Sequence, residues 1–470
     1  MIGAGMAGLT ASLRLAESGR WHPLVVEREA RAGGLARSLS FDDVTTDLGP
    51  HRIFTENPQV RELIARVAEP SLFTVERRSH IFLKGRFLPY PPNPLAMAGR
   101  LGPGAMARFG LSYLREQARH APPRHEETYE SLMRRAFGKA LYDDLLRPFS
   151  AKTWKTDPAE LHADTARVRV SAGSLGKMFG NLLPIKTRRT DPTSLKTFQY
   201  VRGGIETLAN HLSQAAREAG AEVRLGREVS HLELDATGRV AAAHTRNEDK
   251  PINGAVFLST VPLPRLLESI RPEQPALANA RKAADGLTYL GIIFVCVVVK
   301  RSLLRQDNWL YFPEPHLVFN RAYEAKNMDR SLAPGDRTVL CIEITHRPGD
   351  AIEREHDEHL AEHVIEQMAG TGLFGRNEVA ERHVYRLPYA YPLYTLDYAE
   401  RLDTALDGLR GIPNLLTLGR QGLFNHNNMD HSMAMGLRAA EMVLATNGNE
   451  NTAARWYDQA TEFRSIRIID

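Results

Sequence analysis

Glycines at positions 3, 5 and 8 open the chain in the order G-x-G-x-x-G. A strand-to-helix turn around a pyrophosphate needs this spacing. The first glycine allows the tight turn, the second lets backbone approach the phosphates, and the third lets helix and strand pack closely. The helix that follows then aims unpaired N–H groups and a positive dipole end at the phosphates. Glu27 follows about twenty residues on, where a carboxylate can take a ribose hydroxyl pair. A second pair, Gly33-Gly34, comes within six residues of Glu27, with Arg37 just beyond. A simple NAD enzyme would instead continue into another strand–helix unit. These residues point to a bound dinucleotide; the plain alternative is a glycine-rich turn that holds nothing.

The elements needed to position them can be read around the motif. Residues 9–17, LTASLRLAE, are strong helix formers with an apolar face at Leu9, Leu13 and Ala16, and Gly19 can stop the helix. PLVVE then reads as a buried parallel strand ending at Glu27. Only Met1 and Ile2 precede the first glycine, whereas the first strand of such a fold is central and about five residues long. Either this strand is clipped or the natural start lies upstream. A clipped strand would leave neighbouring backbone groups unpaired, so apolar residues added in front are expected to raise stability. Farther on, Gly203-Gly204 precede an amphipathic helix with Ile205, Leu208, Leu212 and Ala216 on one face. A short strand leads to Val229, followed by a hairpin, VSHLEL–DATG–RVAAAHT, and the apolar strand AVFLSTVP. Near the C-terminus a buried strand ends at Gly419-Arg420. A loop then leads to Met429-Asp430, where a helix begins with Asp430 as its expected N-cap.

The run E-x5-G-G-L-x-x-S from Glu27 resembles the segment after the glycine motif in flavin amine oxidases, protoporphyrinogen oxidases, phytoene desaturases and UDP-galactopyranose mutases. The resemblance extends in order over nearly the whole chain. It implies an α/β fold: a Rossmann-like, glutathione-reductase-like FAD-binding domain with an inserted mixed α+β substrate cap. The FAD-binding pieces would be 1–56, 197–265 and 408–470, and the cap 57–196 and 266–407. By the same resemblance FAD is the cofactor, with Gly33, Gly34 and Arg37 along its phosphates and flavin and Val229 pairing with adenine through its backbone. It extends the cofactor set to Ala4, Met6 and Ala7 between the first glycines, Arg28 beside Glu27, and Leu35. Pro50, His51, Gly419, Arg420, Met429 and Asp430 complete that set. The helix at Met429 would face the flavin ring and stabilise negative charge on its reduced form. No cysteine lies near that loop, so the FAD is expected without a covalent tether.

Cap segments carry a second likeness. GPHRIFTEN (49–57), FSAKTWKTDPAEL (149–161) and VFNRAYEAKN (318–327) resemble stretches of UDP-galactopyranose mutase. That likeness implies Trp154 against a nucleotide base and Arg321 on a diphosphate, with Arg167 or Arg169 as a second positive charge. A guanidinium fork matches phosphate oxygens. The alternatives are a packing tryptophan at 154 and, if helical, an ion pair of Arg321 with Glu324. The loop FNHNN, 424–428, lacks the tyrosines of the mutases, so the substrate is a different glycosyl compound or something else. His51 and His426 are the candidate catalytic residues, and Asn427 joins the substrate set. For His51 the alternative is a turn histidine bonded to backbone. The C-terminal approach, YAYPLYTLDYAERLDTALDGLRGIPNL, instead resembles the protoporphyrinogen oxidase branch. The leading expectation is oxidation or desaturation by hydride transfer to flavin N5 on a glycosyl or other polar biosynthetic substrate. The alternatives are a mutase-like, non-redox reaction on a nucleotide sugar and a flavin-binding partner without catalysis.

Composition narrows the rest. The 470 residues carry a net charge of +4, with both signs spread along the chain rather than gathered in a basic stripe. That argues against nucleic acid as partner and favours a small anionic molecule. The longest apolar run, GIIFVCVVV, is far short of the ~20 residues needed to span a bilayer. No signal peptide is visible, and a cytoplasmic setting is expected. Cys296 and Cys341 sit in strand-like runs and read as buried free thiols. His359 and His363 have a metal-binding spacing. The apolar stripe Ile352, Leu360 and Val364 makes a solvated helix face the better reading, and no metal is expected. Residues 100–125 carry five arginines among apolar side chains, a cap helix or a surface; no membrane contact is expected.

Overall fold

The computed structural model describes residues 1–90, 94–119, 127–168, 196–246, 250–466 and 468. A parallel layer runs through its centre. Glu222–Arg224 pairs with Leu24–Val26, and Phe257–Ser259 pairs with Leu415–Thr417. Ile2 joins the two pairs, bridging Val26 on one side and Ser259 on the other. The expectation of unpaired backbone beside a clipped first strand does not hold at this seam. Ile2 N–H donates to Leu258 O at 2.8 Å, Gly3 N–H to Val26 O at 2.8 Å, and Val26 N–H to Met1 O at 2.9 Å. One residue suffices because its neighbours Met1 and Gly3 also supply ladder groups.

The helix Met6–Glu17 follows the glycine turn and is buried over most of its surface. It lies between the helices Glu206–Glu218 and Met429–Thr446, so more than the expected Leu9, Leu13 and Ala16 is covered. Beside the parallel layer, the hairpin Val229–Leu234/Val240–Thr245 forms a small sheet with Ile252–Asn253 and Ile270–Arg271. The strand Thr197–Val201 pairs with Leu72–Glu76, tying the chain before Gly203-Gly204 to the first insertion.

A seven-stranded sheet forms the second layer. Its order is Val379–Pro392, Tyr289–Val299, Thr338–His346, Arg321–Glu324, Trp309–Tyr311, Ser79–Leu83 and Arg86–Pro89. Strand side chains alternate between faces. Ile293, Val295 and Val297 pack toward the helix Asp357–Gly370, while Ile292 and Phe294 face a cleft. Both faces are covered, so Tyr289–Val299 is apolar almost without interruption and buried throughout. Cys296 and Cys341 stand opposite one another on neighbouring strands, both free and buried, with their sulfurs 3.8 Å apart.

The helix Asp357–Gly370 buries Leu360, Ala361, Val364, Ile365 and Met368 and leaves His359 exposed. Ile352 falls outside this helix, in the turn Ala351–Arg354, so the expected stripe shortens at that end. Among the described residues no group of three His, Cys, Asp or Glu side chains is placed to hold a metal ion. None of the described helices is long and apolar enough to cross a membrane. The arginine-rich stretch forms the helix Pro103–Ala118, which buries Phe109 and exposes Leu111 and Leu114.

Candidate active site

A cleft of about 800 Å³ lies between the carboxyl ends of the parallel strands and the cap sheet. Gly3, Gly5, Met6 and Ala7 line one end; Ala4 and Gly8 sit just behind them. Gly3 has φ +100°, and a Cβ there would lie 2.1 Å from Thr260 Oγ1; a Cβ on Gly8 would lie 2.2 Å from Gly3 O. The helix Met6–Glu17 has no side-chain cap and no acidic residue in its first turn, so its N-terminal donors remain open to an anion. Glu27, nearly buried, accepts from Ala4 N–H at 2.8 Å and from Glu29 N–H at 3.0 Å. These two bonds fix the carboxylate at the strand end, beside the turn. A cradle without side chains, an open helix terminus and an acid at the strand end fit a dinucleotide.

Farther along this wall come Arg28, Gly33, Gly34, Leu35 and Arg37. Arg37 is held on three sides. Its Nε donates to Gly34 O at 2.9 Å, its Nη2 to the Tyr385 hydroxyl at 2.9 Å, and its Nη1 lies 3.1 Å from Glu29. Val229 lines the cleft as the first residue of its hairpin strand, opposite Thr245.

Pro50, His51, Arg52, Arg420, Asn427 and Met429 line the other end, together with Trp309, Tyr311, Arg321, Tyr389 and Tyr391 of the seven-stranded sheet, while Gly419 lies against Ala7 and Thr260. His51 Nδ1 is 3.0 Å from Gly49 O. A carbonyl only accepts, so Nδ1 carries the proton and Nε2 keeps a lone pair. Burial, then the nearby Arg420 and, more weakly, Arg321, push the His51 pKa down to about 4 against the opposing Gly49 bond. His51 is therefore neutral at physiological pH.

Arg321 opens a strand rather than a helix, which rules out the suggested pairing with Glu324. Instead its Nε and Nη2 grip one oxygen of the buried Glu343, at 3.0 and 2.8 Å. Glu324 accepts from Thr338 and from the backbone of Leu304 and Arg305. The Tyr391 hydroxyl lies 3.4 Å from Arg321 Nη2, and Arg420 sits over the same ring at 5.5 Å.

Two expected contacts move back from the cleft. His426 is buried and stacks on Tyr391 with ring centres 5.1 Å apart, and Trp154 meets His426 edge-on at 5.6 Å. Neither is among the residues that line the cleft; Tyr391, delivered by the strand Val379–Pro392, stands in front of them. Trp154 packs with Tyr129, Met133 and Tyr142, as the packing alternative has it. Asp430 is also displaced. The N-cap of Met429–Thr446 is Asn428, and Asp430 lies in the first helical turn, where it takes a hydrogen bond from Thr55. That bond ties the helix end to the loop that carries His51. Burial pushes the Asp430 carboxyl up, against the neighbouring His431. Arg169 lies outside the described residues. Arg167 pairs with Glu127 and Asp164, away from the cleft.

Sequence reasoning missed the aromatic wall. The hydroxyls absent from FNHNN enter from Tyr311, Tyr389 and Tyr391 on cap strands. The alternation of Tyr389 and Tyr391 along YAYP was the available signal. Among the described lining residues the carboxylates are Glu27, Glu29, Glu228 and Glu268, on the turn, the hairpin and its flank. Among the described residues no contact joins any of them to Arg321 or Arg420, and Glu268 reaches Tyr389 only through Arg265, which donates to the Tyr389 hydroxyl at 3.0 Å and lies 2.8 Å from Glu268.

Comparison with known proteins bears on this arrangement. The chain is 26% identical to a mitochondrial protoporphyrinogen oxidase of Nicotiana tabacum over 95% of its own length and 94% of that protein. It is 25% identical to a phytoene dehydrogenase of Streptomyces griseus over 58% of its length, spanning 56% of that relative. The crystal structure of a reduced UDP-galactopyranose mutase superposes with a TM-score of 0.82 at 24% identity, covering 98% of this chain and 97% of the other; this shows a shared fold. A family model for flavin containing amine oxidoreductases matches residues 6–444, and the chain belongs to that family as a flavin-dependent oxidoreductase.

Proposed function

We propose that the protein binds FAD without a covalent tether and oxidises a polar, anionic small molecule, a glycoside or other biosynthetic intermediate. The carrying observation is the end of the cleft where Arg321 and Arg420 stand among Tyr311, Tyr389 and Tyr391; the carboxylate that holds Arg321, Glu343, is buried behind it and is not among the lining residues. An ammonium-bearing substrate would call for an acid there; a carboxylate or phosphate suits arginine. In this reading Gly3, Gly5, Met6, Gly33 and Gly34 hold the pyrophosphate, Glu27 the ribose and Val229 the adenine. The absence of either cysteine from the cleft lining supports a non-covalent cofactor.

FAD supplies a hydride acceptor, and the protein supplies orientation and electrostatics. Arg321, fixed by Glu343, would anchor the substrate's negative group. The tyrosine rings would exclude water and hold its body against the cofactor. His51 is a weak base and serves best as a neutral hydrogen-bond partner, its Nε2 accepting from a substrate hydroxyl. Met429 and the positive end of its helix would favour negative charge nearby.

The same wall also suits a nucleotide diphosphate, and so favours as second reading a mutase-like reaction without net oxidation. Anaerobic mixing with candidate glycosides, nucleotide sugars and amines separates the two. Bleaching of the flavin by an anionic substrate alone is the expected result. Turnover only after dithionite reduction, with no electrons transferred overall, would replace the oxidase reading by the mutase reading. Bleaching by simple diamines would overturn the anionic substrate.

A further inference from the structure

His431 occupies the third position of the helix Met429–Thr446. Its Nδ1 accepts from the backbone N–H of the N-cap residue Asn428 at 3.2 Å. Glutamate or glutamine is usual at this place in a capping box. Their oxygens accept at any working pH, whereas an imidazole nitrogen accepts only while unprotonated. The same Nδ1 lies 3.6 Å from Asp430 Oδ1. One nitrogen thus has two neighbours, a donor that needs its lone pair and a carboxylate that would take its proton. Asn428 itself lines the cleft, as do Asn427, Met429 and Ser432.

We propose that His431 is a positioning residue whose protonation exchanges these partners and thereby changes what the helix end offers to the cleft. Neutral, it closes the cap on Asn428. On taking one proton from solvent, its Nδ1–H turns to Asp430, and the Asn428 N–H becomes available to a ligand in the cleft. The exchange adds one positive charge and one free donor at the positive end of an 18-residue helix. Both favour a more negative occupant. Resting on the flavin reading of the cleft, formation of the more negative reduced flavin draws a proton onto His431.

The charged groups that act on it are Asp430 on its own helix and Arg420 from the short helix Gly419–Gly422; Asp430 is in turn bonded to Thr55. Burial and then Arg420 lower the His431 pKa, against Asp430, so the exchange belongs on the acid side of the ordinary imidazole value of 6.5.

Two measurements on the full chain test this. In the protein without flavin, the ¹⁵N amide shift of Asn428 is followed from about pH 5 to 8, the range in which histidines titrate. It is expected to move with the His431 ring signals, and to stay flat in His431→Gln, whose amide oxygen keeps the cap. An Asn428 amide indifferent to His431 protonation overturns the exchange, in the unmodified chain alone if the variant does not fold. With flavin bound, the midpoint potential is expected to rise more steeply toward acid pH than in His431→Gln. Parallel pH profiles overturn the link to the cleft. A chain that takes up no flavin would sink the flavin reading, and the amide titration would still decide the exchange.

Discussion

Arg321 and Glu343 carry two consequences at once, because the arginine faces the cleft while its partner is buried behind it. Arg321→Met would strand a carboxylate in the interior at a cost of about 3–5 kcal/mol, read as a lower denaturant midpoint. The double variant Arg321→Met/Glu343→Leu is expected to recover most of that stability and none of the substrate affinity. A double variant that binds substrate normally would remove Arg321 from the site. His51 makes a pH prediction. Its pKa is about 4 in the fold against an ordinary 6.5, so between these values the unfolded chain binds more protons. Its contribution to stability is complete above pH 6.5 and is lost as pH falls toward 4; His51→Gln should flatten that part of the profile. Glu27→Ala leaves two backbone donors without their acceptor and should weaken flavin retention about tenfold or more, measurable by fluorescence titration. The spacing of Gly3, Gly5, Gly8 and Glu27 can be read in the sequence because it is itself the chemistry, whereas Arg37 rests on the family resemblance alone. His426 and Trp154 stand behind Tyr391, which the strand Val379–Pro392 brings to the cleft from a distant part of the chain, a placement that no local pattern discloses.

Elements are locked to each other through Asp47, which lies at the end of the strand Val44–Asp47 and is fully buried. Its carboxylate accepts from Ser38 Oγ at 2.7 Å, from Ile205 N–H at 3.0 Å and from the Tyr200 hydroxyl. One side chain thus joins the hairpin after Arg37, the strand Thr197–Val201 and the turn after Gly203-Gly204. Burial pushes its pKa up to about 6 from 3.8, against these bonds. The sign is opposite to that of His51: the fold binds more protons here, so this contribution is present at acid pH and lost as pH rises from 3.8 to 6. Tyr200→Phe removes one donor and should cost about 1–3 kcal/mol by denaturation. An unchanged midpoint would show that the hub tolerates the loss. Periodicity disclosed the hairpin, the amphipathic helix after Gly203-Gly204 and the buried strands. It could not say that Asn428 rather than Asp430 caps the last long helix, since both are good caps and only the entering loop decides.

At the scale of the molecule, the cleft is walled by three sequence-distant pieces and by the cap. A ligand that spans them stabilises the whole by mass action, about 2.7 kcal/mol at a hundred times its Kd. The melting temperature should therefore climb with added FAD well past saturation, and a melting temperature that stops rising at stoichiometric FAD would argue against linkage. The parallel layer also sets an order of events in the cell. Ile2 is seated only when Phe257–Ser259 has been made, and Leu415–Thr417 arrives later still. At ~5–20 residues per second, the glycine turn waits on the order of tens of seconds for its neighbours. Until Glu206–Glu218 is made the apolar helix Met6–Glu17 has neither of its covering helices, and Met429–Thr446 comes last, so the nascent chain is a natural client for chaperones. A transcript broken before the last long helix would yield a protein with the complete nucleotide motif and no cofactor.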